Sequence, residues 1–401
     1  MRPTSISVEA ARRAAERRLP PSVYDYIDGG KEGESTALAN EIAFTRVLFS
    51  PKVGAGVRKP QLETKVLGEH VSMPVVIAPT GFIRIVHPVG ELGVARAAAA
   101  AGIPIALSHL CSVPVGRVCE ANSNTWFQLY MLEGRKGAAQ AIDLARQAGC
   151  RALVVTIDVA GTAPSDRVNR RLPSHLSAGS LARFLPEALS RPRWLMSALR
   201  SGLAMHAPNA PRKPSGEEFG LAEIGALIVG TPPSWDDLAW IRDEWHGPLL
   251  LKGIMRADDA ERAAALGADA ISVSNHGAKV LDGTPAALAV LPEIVDAVGN
   301  KIDVLLDGGV RRGADVVRAC ALGAKAVFIG RPYLWGLAVH GESGVADILG
   351  LYQRGIEATL SNLGCPSIEQ LDRSWLRPLP PQGQWNEIGE YLKSRSERMS
   401  H

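Results

Sequence analysis

The chain has 401 residues, 46% of them hydrophobic and 21% charged, and its formal net charge of +3 excludes the strongly basic surface of a nucleic-acid-binding protein. This size allows a large core, and we predict one domain over residues 1–401. The five cysteines are scattered and lack CxxC spacing, which indicates neither a disulfide framework nor a zinc site and is typical of a cytoplasmic protein.

The N-terminal segment predicts a helical cap instead of a secretion signal. It places arginines among alanines and contains no apolar stretch of the signal-peptide type. No later run reaches the ~20 apolar residues that a membrane-spanning helix needs. We expect residues 7–30 to form helices that bring Tyr26 to the active-site pocket.

Eight short apolar runs predict buried strands, and segments with helical periodicity follow most of them. The runs are Met73–Pro79, Ile103–Ser108, Thr125–Tyr130, Ala152–Asp158, Pro248–Lys252, Ala270–Ser274, Ile302–Asp307 and Ala326–Gly330. Eight strand–helix repeats close a parallel (β/α)8 TIM barrel, an α/β fold whose active site lies at the carboxyl ends of the strands. Residues 346–371 are predicted to form C-terminal helices that cover this barrel.

Polar residues cluster where the predicted strands end. They are Ser108, Tyr130, Thr156, Asp158, Lys252, Ser274, His276, Asp307 and Arg331. After the seventh run, Gly308 and Gly309 allow a ligand to approach the backbone, and Gly330 precedes Arg331 at the end of the eighth. Loops after strands seven and eight are the recurrent phosphate site of this fold, and arginine suits bidentate phosphate contacts. The alternative is that the arginines in these loops are solvated surface residues.

A long insertion at about residues 166–235 follows the fourth predicted strand. Loops of this length are usually functional or mobile. In residues 181–206, apolar side chains recur at helical spacing with arginines between them. This pattern fits a lid over the pocket, a membrane-surface helix, a face for an electron acceptor, or a helix packed on the barrel or on a partner subunit. Residues 207–220 are rich in proline and are expected to be poorly ordered.

Eight motifs occur in the order VYDYIDGG, MPVVIAPTG, FQLY, TID, LLKG, SNHG, LDGGVRRG and ALGAKAVFIGRP, over about residues 23–364. Together they resemble the FMN-dependent 2-hydroxy-acid oxidases and dehydrogenases, which include glycolate oxidase, lactate oxidase and mandelate dehydrogenase. The resemblance implies a TIM barrel with bound FMN, assembled as a homotetramer. It also implies removal of two electrons and a proton from a substrate C–H next to a hydroxyl or an amine.

Matching these motifs assigns roles to residues of this chain. His276 would be the base, with Asp158 stabilising its protonated form. Tyr26 and Tyr130 would hydrogen-bond the substrate, and Lys252 would stabilise charge on the flavin. The resemblance implies that FMN is held by Pro79, Thr80, Gly81, Ser108, Gln128, Thr156, Lys252, Ser274, Asp307, Gly309, Arg311, Gly330 and Arg331.

Two arginines that hold the substrate carboxylate in ordinary members of this family are replaced here. Ser165 and Lys279 occupy their positions. A change from arginine to lysine loses the planar fork that suits a carboxylate. Either Lys279 or, after a two-residue realignment, Arg167 would then contact the substrate. The aromatic residue that often follows the serine motif is also absent, and His109 is interpreted as a wall residue of the pocket.

The segments SRPRWL, GTPPSWDDLAWIRDEWHGPLLLKGIMR, LDGTPAAL and GRPYLWGLA resemble one subgroup, the pre-mycofactocin synthases. This resemblance implies oxidative deamination of a cyclised, amine-bearing dipeptide derived from valine and tyrosine, which needs no carboxylate partner. The alternatives are oxidation of a lactate-like 2-hydroxy acid, non-redox chemistry in a phosphate-binding barrel, and a flavin-binding protein without turnover. The electron acceptor stays open among oxygen, a quinone and a protein carrier. The expected location is cytoplasmic, with peripheral membrane contact as a further hypothesis.

Overall fold

The computed structural model describes residues 7–161, 163–167, 178–201 and 206–377. The chain begins with three helices, α1 (Val8–Arg18), α2 (Pro21–Asp28) and α3 (Ser35–Thr45). Three short strands follow, β1 (Leu48–Phe49), β2 (Thr64–Val66) and β3 (Glu69–Val71). Side chains of the β2–β3 hairpin pack with the inward-facing residues of the barrel strands, so this hairpin covers one end of the barrel.

Eight parallel strands form a closed barrel, which confirms the predicted TIM-barrel fold. They are β4 (Val75–Ile77), β5 (Ile105–Ser108), β6 (Thr125–Leu129), β7 (Ala152–Thr156), β8 (Leu249–Ile254), β9 (Ala270–Val273), β10 (Asp303–Leu306) and β11 (Ala326–Ile329). Each strand pairs with the next along the chain, and β11 pairs with β4 to close the ring. Each of the eight barrel strands overlaps one of the eight predicted runs, whereas the short strands β1, β2 and β3 were not predicted.

Most of the helices alternate with the barrel strands, and the insertion after β7 adds three more. They are α4 (Gly90–Ala100), α5 (Val115–Ala121), α6 (Gly134–Gln147), α7 (Ala178–Leu189), α8 (Pro192–Ser201), α9 (Leu221–Gly230), α10 (Trp235–Glu244), α11 (Ala257–Ala265), α12 (Ala287–Val298), α13 (Gly313–Ala321), α14 (Arg331–His340) and α15 (Glu342–Leu363). The last strand, β12 (Leu376–Arg377), pairs antiparallel with β1. None of the described helices is both long and apolar enough to cross a membrane.

The strands are apolar throughout because both of their faces are buried. In β7, for example, Val154 packs inside the barrel while Leu153 and Val155 pack against the surrounding helices. This alternation follows from the two-residue period of a strand. Because both faces are buried, most of each strand excludes charged side chains. The polar residues therefore lie at the carboxyl ends of the strands, and these ends are close together in a parallel barrel.

The insertion after the fourth barrel strand contains α7, α8 and α9; the helical spacing of residues 181–206 indicated α7 and α8, whereas α9 was not predicted. Residues 168–177 and 202–205 lie outside the described residues, as does the tail after residue 377. Residues 207–220, expected from their prolines to be poorly ordered, instead fold against the barrel. Asn209 is buried there, and Arg212 bridges to Glu218. The proline content was a misleading signal because this loop makes tertiary hydrogen bonds that its composition does not reveal.

Candidate active site

A cavity of about 1150 Å³ lies at the carboxyl ends of the barrel strands. Single-ligand pockets commonly measure about 300–1,000 Å³, so this one has room for a cofactor together with a substrate. The predicted residues that line it are Tyr26, Pro79, Thr80, Gly81, Ser108, Tyr130, Thr156, Lys252, His276, Lys279, Asp307, Gly309, Arg311, Gly330 and Arg331. The tertiary fold therefore brings most of the predicted site residues together.

His276 and Asp158 form a hydrogen-bonded pair beside this cavity. His276 Nδ1 lies 2.9 Å from Asp158 Oδ1. Burial raises the pKa of the Asp158 carboxyl, but the neighbouring charges of His276 and Lys252 outweigh this effect and hold that pKa below its usual value. An ionised Asp158 accepts the hydrogen of Nδ1, which leaves Nε2 as the basic atom of His276.

The loop that carries His276 has an unusual backbone. His276 and Ala278 have φ angles of 56° and 64°, in the left-handed region that non-glycine residues rarely adopt. Such conformations cost about 1–3 kcal/mol each and persist only where surrounding contacts hold them. Arg331 donates to the carbonyl oxygen of Gly277 at 2.8 Å, and the Lys31 backbone N–H donates to that of Ala278 at 3.0 Å. The N-terminal cap and α14 thus hold the imidazole in place.

Tyr26 and Tyr130 approach the same part of the cavity from different elements. Tyr26 comes from α2, and its hydroxyl donates to the carbonyl oxygen of Gly81 at 2.9 Å. Tyr130 follows β6. Burial raises the pKa of both phenols, and the charge of Asp158 raises that of Tyr130 further. Both hydroxyls therefore stay protonated near neutral pH. The Tyr26 hydroxyl donates its one hydrogen to Gly81, so its oxygen can still accept a hydrogen bond, whereas Tyr130 keeps the character of a donor.

Lys252, Ser274 and Asp307 form a buried polar network between three neighbouring strands. The Lys252 ammonium contacts the Asp307 carboxylate and donates to Ser274 Oγ at 2.9 Å. Ser274 Oγ in turn donates to Asp307 Oδ1 at 2.7 Å. A buried ammonium is costly unless it is paired, and Asp307 provides that pairing. The network fixes one positive charge at the edge of the cavity.

Gln128 presents a buried donor that has no protein partner. Its Oε1 accepts from Ser108 Oγ at 3.3 Å and from the His109 backbone N–H at 3.4 Å, whereas its Nε2 has no hydrogen-bond partner among the described residues. Buried polar groups are rarely left without a partner. Gln128 Nε2 thus indicates a place where a bound molecule supplies an acceptor.

The predicted phosphate region lies between β10 and α14. A Cβ atom at Gly309 would lie 2.1 Å from the carbonyl oxygen of Asn40, so only glycine fits at this position. Arg311 pairs with Glu41 at 2.8 Å, but its buried Nε has no partner. Burial and the neighbouring Arg311 lower the pKa of Arg331 to about 10. The Arg331 guanidinium donates to the carbonyl oxygens of Asp28, Gly277 and Gly29, so the backbone holds it at the edge of the predicted phosphate region.

The two residues expected to contact a substrate carboxylate are directed at the protein. Lys279 Nζ donates to the carbonyl oxygens of Tyr26 and Gly29 at 2.9 and 2.8 Å. Arg167 does not line the cavity, and its guanidinium contacts Asp28 at 2.8 Å and Asp25 at 3.1 Å. Burial, followed by the charge of Arg331, holds the pKa of Lys279 well below its usual value. Lys279 therefore ties down the end of α2.

Several lining residues escaped the sequence analysis. Lys31 lines the cavity, and among the described residues its ammonium pairs with no carboxylate. Ser165, one of the arginine replacements, has a buried hydroxyl without a partner. An apolar wall is formed by Phe82, Leu110, Ala222, Ile224 and Ile228. The aliphatic run LAEIGALIVG could have predicted a buried helix. Its sequence does not specify which surface that helix covers.

A model of the FMN-dependent dehydrogenases matches residues 15–378 of this chain. The chain belongs to the FMN-dependent dehydrogenase family. It is 43% identical to the pre-mycofactocin synthase of Mycobacterium tuberculosis, over 96% of each protein. It is 37% identical to 2-hydroxyacid oxidase 1 of Homo sapiens, over 95% of this chain and 98% of the human protein.

A solved structure of this FMN-dependent dehydrogenase fold superimposes closely on the chain. The crystal structure of the monotopic membrane protein (S)-mandelate dehydrogenase has a TM-score of 0.86 and 36% identity, over 94% of this chain and 100% of that chain. The chain is accordingly an FMN-dependent oxidoreductase. The non-redox alternative gains no support from these relatives.

The described residues fit FMN. Gln128 Nε2 and Arg311 Nε are buried donors that lack protein partners, and a flavin and its phosphate have acceptors for both. Gly309 lets the loop after β10 pack directly against the backbone of α3 at Asn40, which keeps that loop at the cavity. Lys252 lines the cavity and would stabilise negative charge on a reduced flavin bound there. We keep the individual contacts of the predicted FMN residues as predictions.

His109 leads to a prediction about acid stability. It is completely buried, and burial lowers its pKa to about 4. An unfolded histidine, with a pKa of ~6.5, takes up a proton that the folded protein excludes. The free energy of unfolding should therefore fall by up to about 3 kcal/mol as the pH drops from about 6.5 to about 4.

Urea denaturation at a series of pH values checks this expectation. His109→Gln does not titrate and should show a shallower pH dependence than the native protein. His87, whose pKa is also lowered to about 4 by burial, is present in both proteins and accounts for part of the remaining slope. Equal slopes in the two proteins would show that His109 is not the titrating group.

Proposed function

We propose that this chain oxidises a carbon bearing an amine in a neutral, cyclised dipeptide, as in the reaction of the pre-mycofactocin synthases. The observation that carries the proposal is the orientation of Lys279 and Arg167. Arg167 is paired with Asp25 and Asp28, and Lys279 directs two of its three N–H donors at backbone carbonyl oxygens, so neither offers the two-pronged contact that suits a substrate carboxylate. A lactam has no carboxylate to hold. The 43% identity to a pre-mycofactocin synthase supports the same substrate class.

The residues of the site have separate tasks in this reaction. Tyr130 orients the substrate by donating from its protonated hydroxyl, and Tyr26, whose hydrogen is donated to Gly81, accepts a hydrogen bond from the substrate amine. His276 Nε2 accepts the substrate proton, and Asp158 stabilises the resulting imidazolium through Nδ1. Bound FMN supplies an acceptor for the two electrons. Lys252 holds a fixed positive charge, and water converts the product imine to a carbonyl compound and ammonia.

A specific observation favours a second candidate, oxidation of a 2-hydroxy acid. Lys31 lines the cavity, and its pKa is lowered by burial without the charge of any nearby acid. A substrate carboxylate would supply the missing partner. The 2-hydroxyacid oxidase and L-lactate dehydrogenase relatives, at 37% and 38% identity, are consistent with this alternative. If the substrate is the lactam, Lys31 instead donates to the amide oxygen of the substrate.

Anaerobic bleaching of the flavin distinguishes the two candidates. The purified holoenzyme is mixed with the amine-bearing valine–tyrosine lactam or with a panel of 2-hydroxy acids, and the visible absorbance of the flavin is followed. Bleaching by the lactam alone is the result we expect. Bleaching by a hydroxy acid but not by the lactam would overturn the proposal in favour of the second candidate. If neither substrate bleaches the flavin, both candidates fail.

Replacing two lysines separates a substrate contact from a structural one. Lys279→Met removes two charge-assisted hydrogen bonds and should lower the free energy of unfolding by about 1.5–3 kcal/mol, with equal effects on acidic and neutral substrates. Lys279→Arg is the matched control that keeps the charge. Lys31→Met should raise the KM of the true substrate at least about tenfold, since a charged hydrogen bond is lost. If Lys279→Met raises the KM of acidic substrates but not of neutral ones, Lys279 contacts the substrate carboxylate after all.

We also propose that α7 and α8 form a docking face for an anionic phospholipid surface. Leu185, Leu189, Met196 and Leu199 are 47–66% exposed on these two helices. The opposite side is anchored, because Trp194 Nε1 donates to the carbonyl oxygen of Ile85 at 2.8 Å. Exposed apolar side chains with arginines beside them are typical of helices that lie in a membrane interface. The monotopic membrane character of the mandelate dehydrogenase neighbour supports this choice.

The double variant Leu189→Asp with Leu199→Asp tests this face. Burying each leucine in lipid is worth about 1.5–3 kcal/mol, so co-sedimentation with phosphatidylglycerol-containing vesicles should fall more than tenfold. Leu38→Asp is the matched control, since Leu38 is 62% exposed on α3, away from α7 and α8. Unchanged sedimentation of the double variant, or no sedimentation of the native protein, would remove the membrane proposal. The difference between sedimentation with phosphatidylglycerol-containing vesicles and with neutral phosphatidylcholine vesicles measures how much the arginines contribute to binding.

The remaining assignments are proposals of the same kind. We propose a cytoplasmic, single-domain protein that contacts the membrane peripherally and assembles as a homotetramer. The resemblance to the hydroxy-acid oxidase family supports the tetramer, and light scattering of the purified holoenzyme measures it. Reoxidation of the bleached enzyme by oxygen, a quinone or a carrier protein, compared in parallel, identifies the electron acceptor.

A further inference from the structure

The helix α9 belongs to the insertion and forms one wall of the active-site cavity. Ala222, Ile224 and Ile228 of this helix line the cavity. Ile224 packs with Phe82 of the barrel in a small apolar cluster that Leu110 and Ile228 extend. This side of the cavity is apolar, whereas the His276 side is polar. A bound substrate would thus meet an apolar surface on the side away from the reacting carbon.

Asn209 fastens the start of this wall to the barrel. Its Oδ1 accepts from the Val115 backbone N–H at 2.9 Å, and its Nδ2 donates to the Val113 carbonyl oxygen at 2.9 Å. A second contact of Nδ2 reaches Cys111 Sγ at 2.9 Å. The side chain is buried, so these bonds are shielded from water. One residue of the insertion is therefore locked into the loop that follows β5.

His109 continues this connection to Tyr130. Its Nδ1 accepts from the Tyr130 backbone N–H at 3.3 Å, which requires the hydrogen to be on Nε2. The Nε2–H then donates to the carbonyl oxygen of Asn209 at 3.2 Å. Both ring nitrogens are used, so His109 is not available as a second base. It links the insertion to a residue that faces the substrate.

The C-terminal end of α9 is fastened to the loop that follows β6. The hydroxyl of Thr231, which directly follows α9, donates to the carbonyl oxygen of Met131, next to Tyr130. The loop that precedes α9 is thus tied to the barrel at Asn209, and the C-terminal end of α9 is tied to it at Thr231, next to Tyr130. This arrangement fixes the distance between the apolar wall and the Tyr130 hydroxyl.

We propose that α9 forms a subsite for a bulky apolar group of the substrate, and that Asn209 and His109 are positioning residues that hold this subsite in register with Tyr130. The inference rests on the proposed function. The polar side of the site contacts the reacting carbon and its amine, and the α9 subsite would bind the apolar remainder of the same substrate. A substrate with an aryl or branched alkyl group fits this wall, and a short acid such as lactate leaves it uncovered.

The test measures binding without turnover, so that it succeeds or fails separately from the proposed reaction. A series of neutral primary amides from propanamide to 3-phenylpropanamide is titrated into the holoenzyme, and dissociation constants are read from the perturbation of the flavin spectrum. In the native protein the affinity should rise about fourfold for each methylene group that becomes buried. A flat series would overturn the subsite, even if the enzyme oxidises the lactam.

Variants locate the subsite and its anchors. Ile228→Asn should flatten the dependence on chain length, and Ile228→Ala, which is the milder change, should reduce it. Asn209→Ala should weaken binding of the longest amide at least tenfold while leaving propanamide within about threefold. His109→Gln keeps a donor for the Asn209 carbonyl oxygen and should restore most of the affinity that His109→Leu loses.

FMN content and thermal unfolding are measured for each variant. Equal weakening of short and long amides in Asn209→Ala would mean that Asn209 only stabilises the fold, and this would overturn its positioning role. Equal affinities in His109→Gln and His109→Leu would do the same for His109. If Asn209→Ala does not fold, the Ile228 variants and the His109 pair still decide between the outcomes.

Discussion

Replacement of His276 by alanine is expected to leave FMN bound and to slow flavin reduction by about 10²- to 10⁴-fold. This range is the usual contribution of a positioned general base. His276 Nε2 is the basic atom of the site because Nδ1 is engaged with Asp158 at 2.9 Å. The measurement is stopped-flow reduction of the flavin under anaerobic conditions, with whichever substrate bleaches the native enzyme.

Two companion variants show whether the loss comes from the base. Asp158→Asn keeps the size of the side chain but removes the charge that stabilises the imidazolium, so a smaller loss of rate is expected. His276→Gln keeps a polar group without a titratable nitrogen and should be as slow as His276→Ala. Reduction of the alanine variant within tenfold of the native rate would sink the assignment. Loss of FMN from that variant would point to a structural role instead.

Replacement of Lys252 by methionine should have the largest combined effect on stability and activity. It leaves the buried Asp307 carboxylate without its partner, which costs about 3–5 kcal/mol of folding free energy for a buried pair. It also removes a preorganised positive charge beside the flavin, and loss of one such group costs about 10²- to 10³-fold in rate. Urea unfolding and stopped-flow reduction measure the two effects separately.

A double-mutant cycle provides the control for this pair. Asp307→Asn alone leaves an unpaired ammonium, and the double variant leaves neither charge. Because the remaining charge causes most of the cost, the double variant should be more stable than the sum of the single losses predicts. Additive losses would show that the two groups do not interact. A loss below about 1 kcal/mol in Lys252→Met would contradict the buried pairing.

The sequence by itself determined the barrel and the set of residues around its mouth. Strands buried on both faces must be apolar along their length, so the eight runs stand out, and helical segments between them leave few alternative folds. Parallel strands place their carboxyl ends at one edge. His276, Lys252 and Asp307 could therefore be assigned to one site from their positions at the ends of runs.

Only the tertiary structure decided where the long side chains point. Lys279 and Arg167 were expected to contact the substrate, yet their charged groups bond to α2 and to the acids around it. A flexible four- or five-atom side chain reaches several partners from one backbone position. The partner is chosen by packing between segments that are far apart in the sequence.

In the insertion, too, the sequence alone did not predict which surface a segment contacts. Residues 207–220 have a composition typical of disorder, but Asn209 is held by the loop after β5 and by His109. The helix α9 has an apolar composition that predicts burial without naming the surface that it covers. Local propensity depends on neighbours in the chain, whereas the wall of the pocket depends on contacts across about a hundred residues, and only the folded barrel brings those residues together.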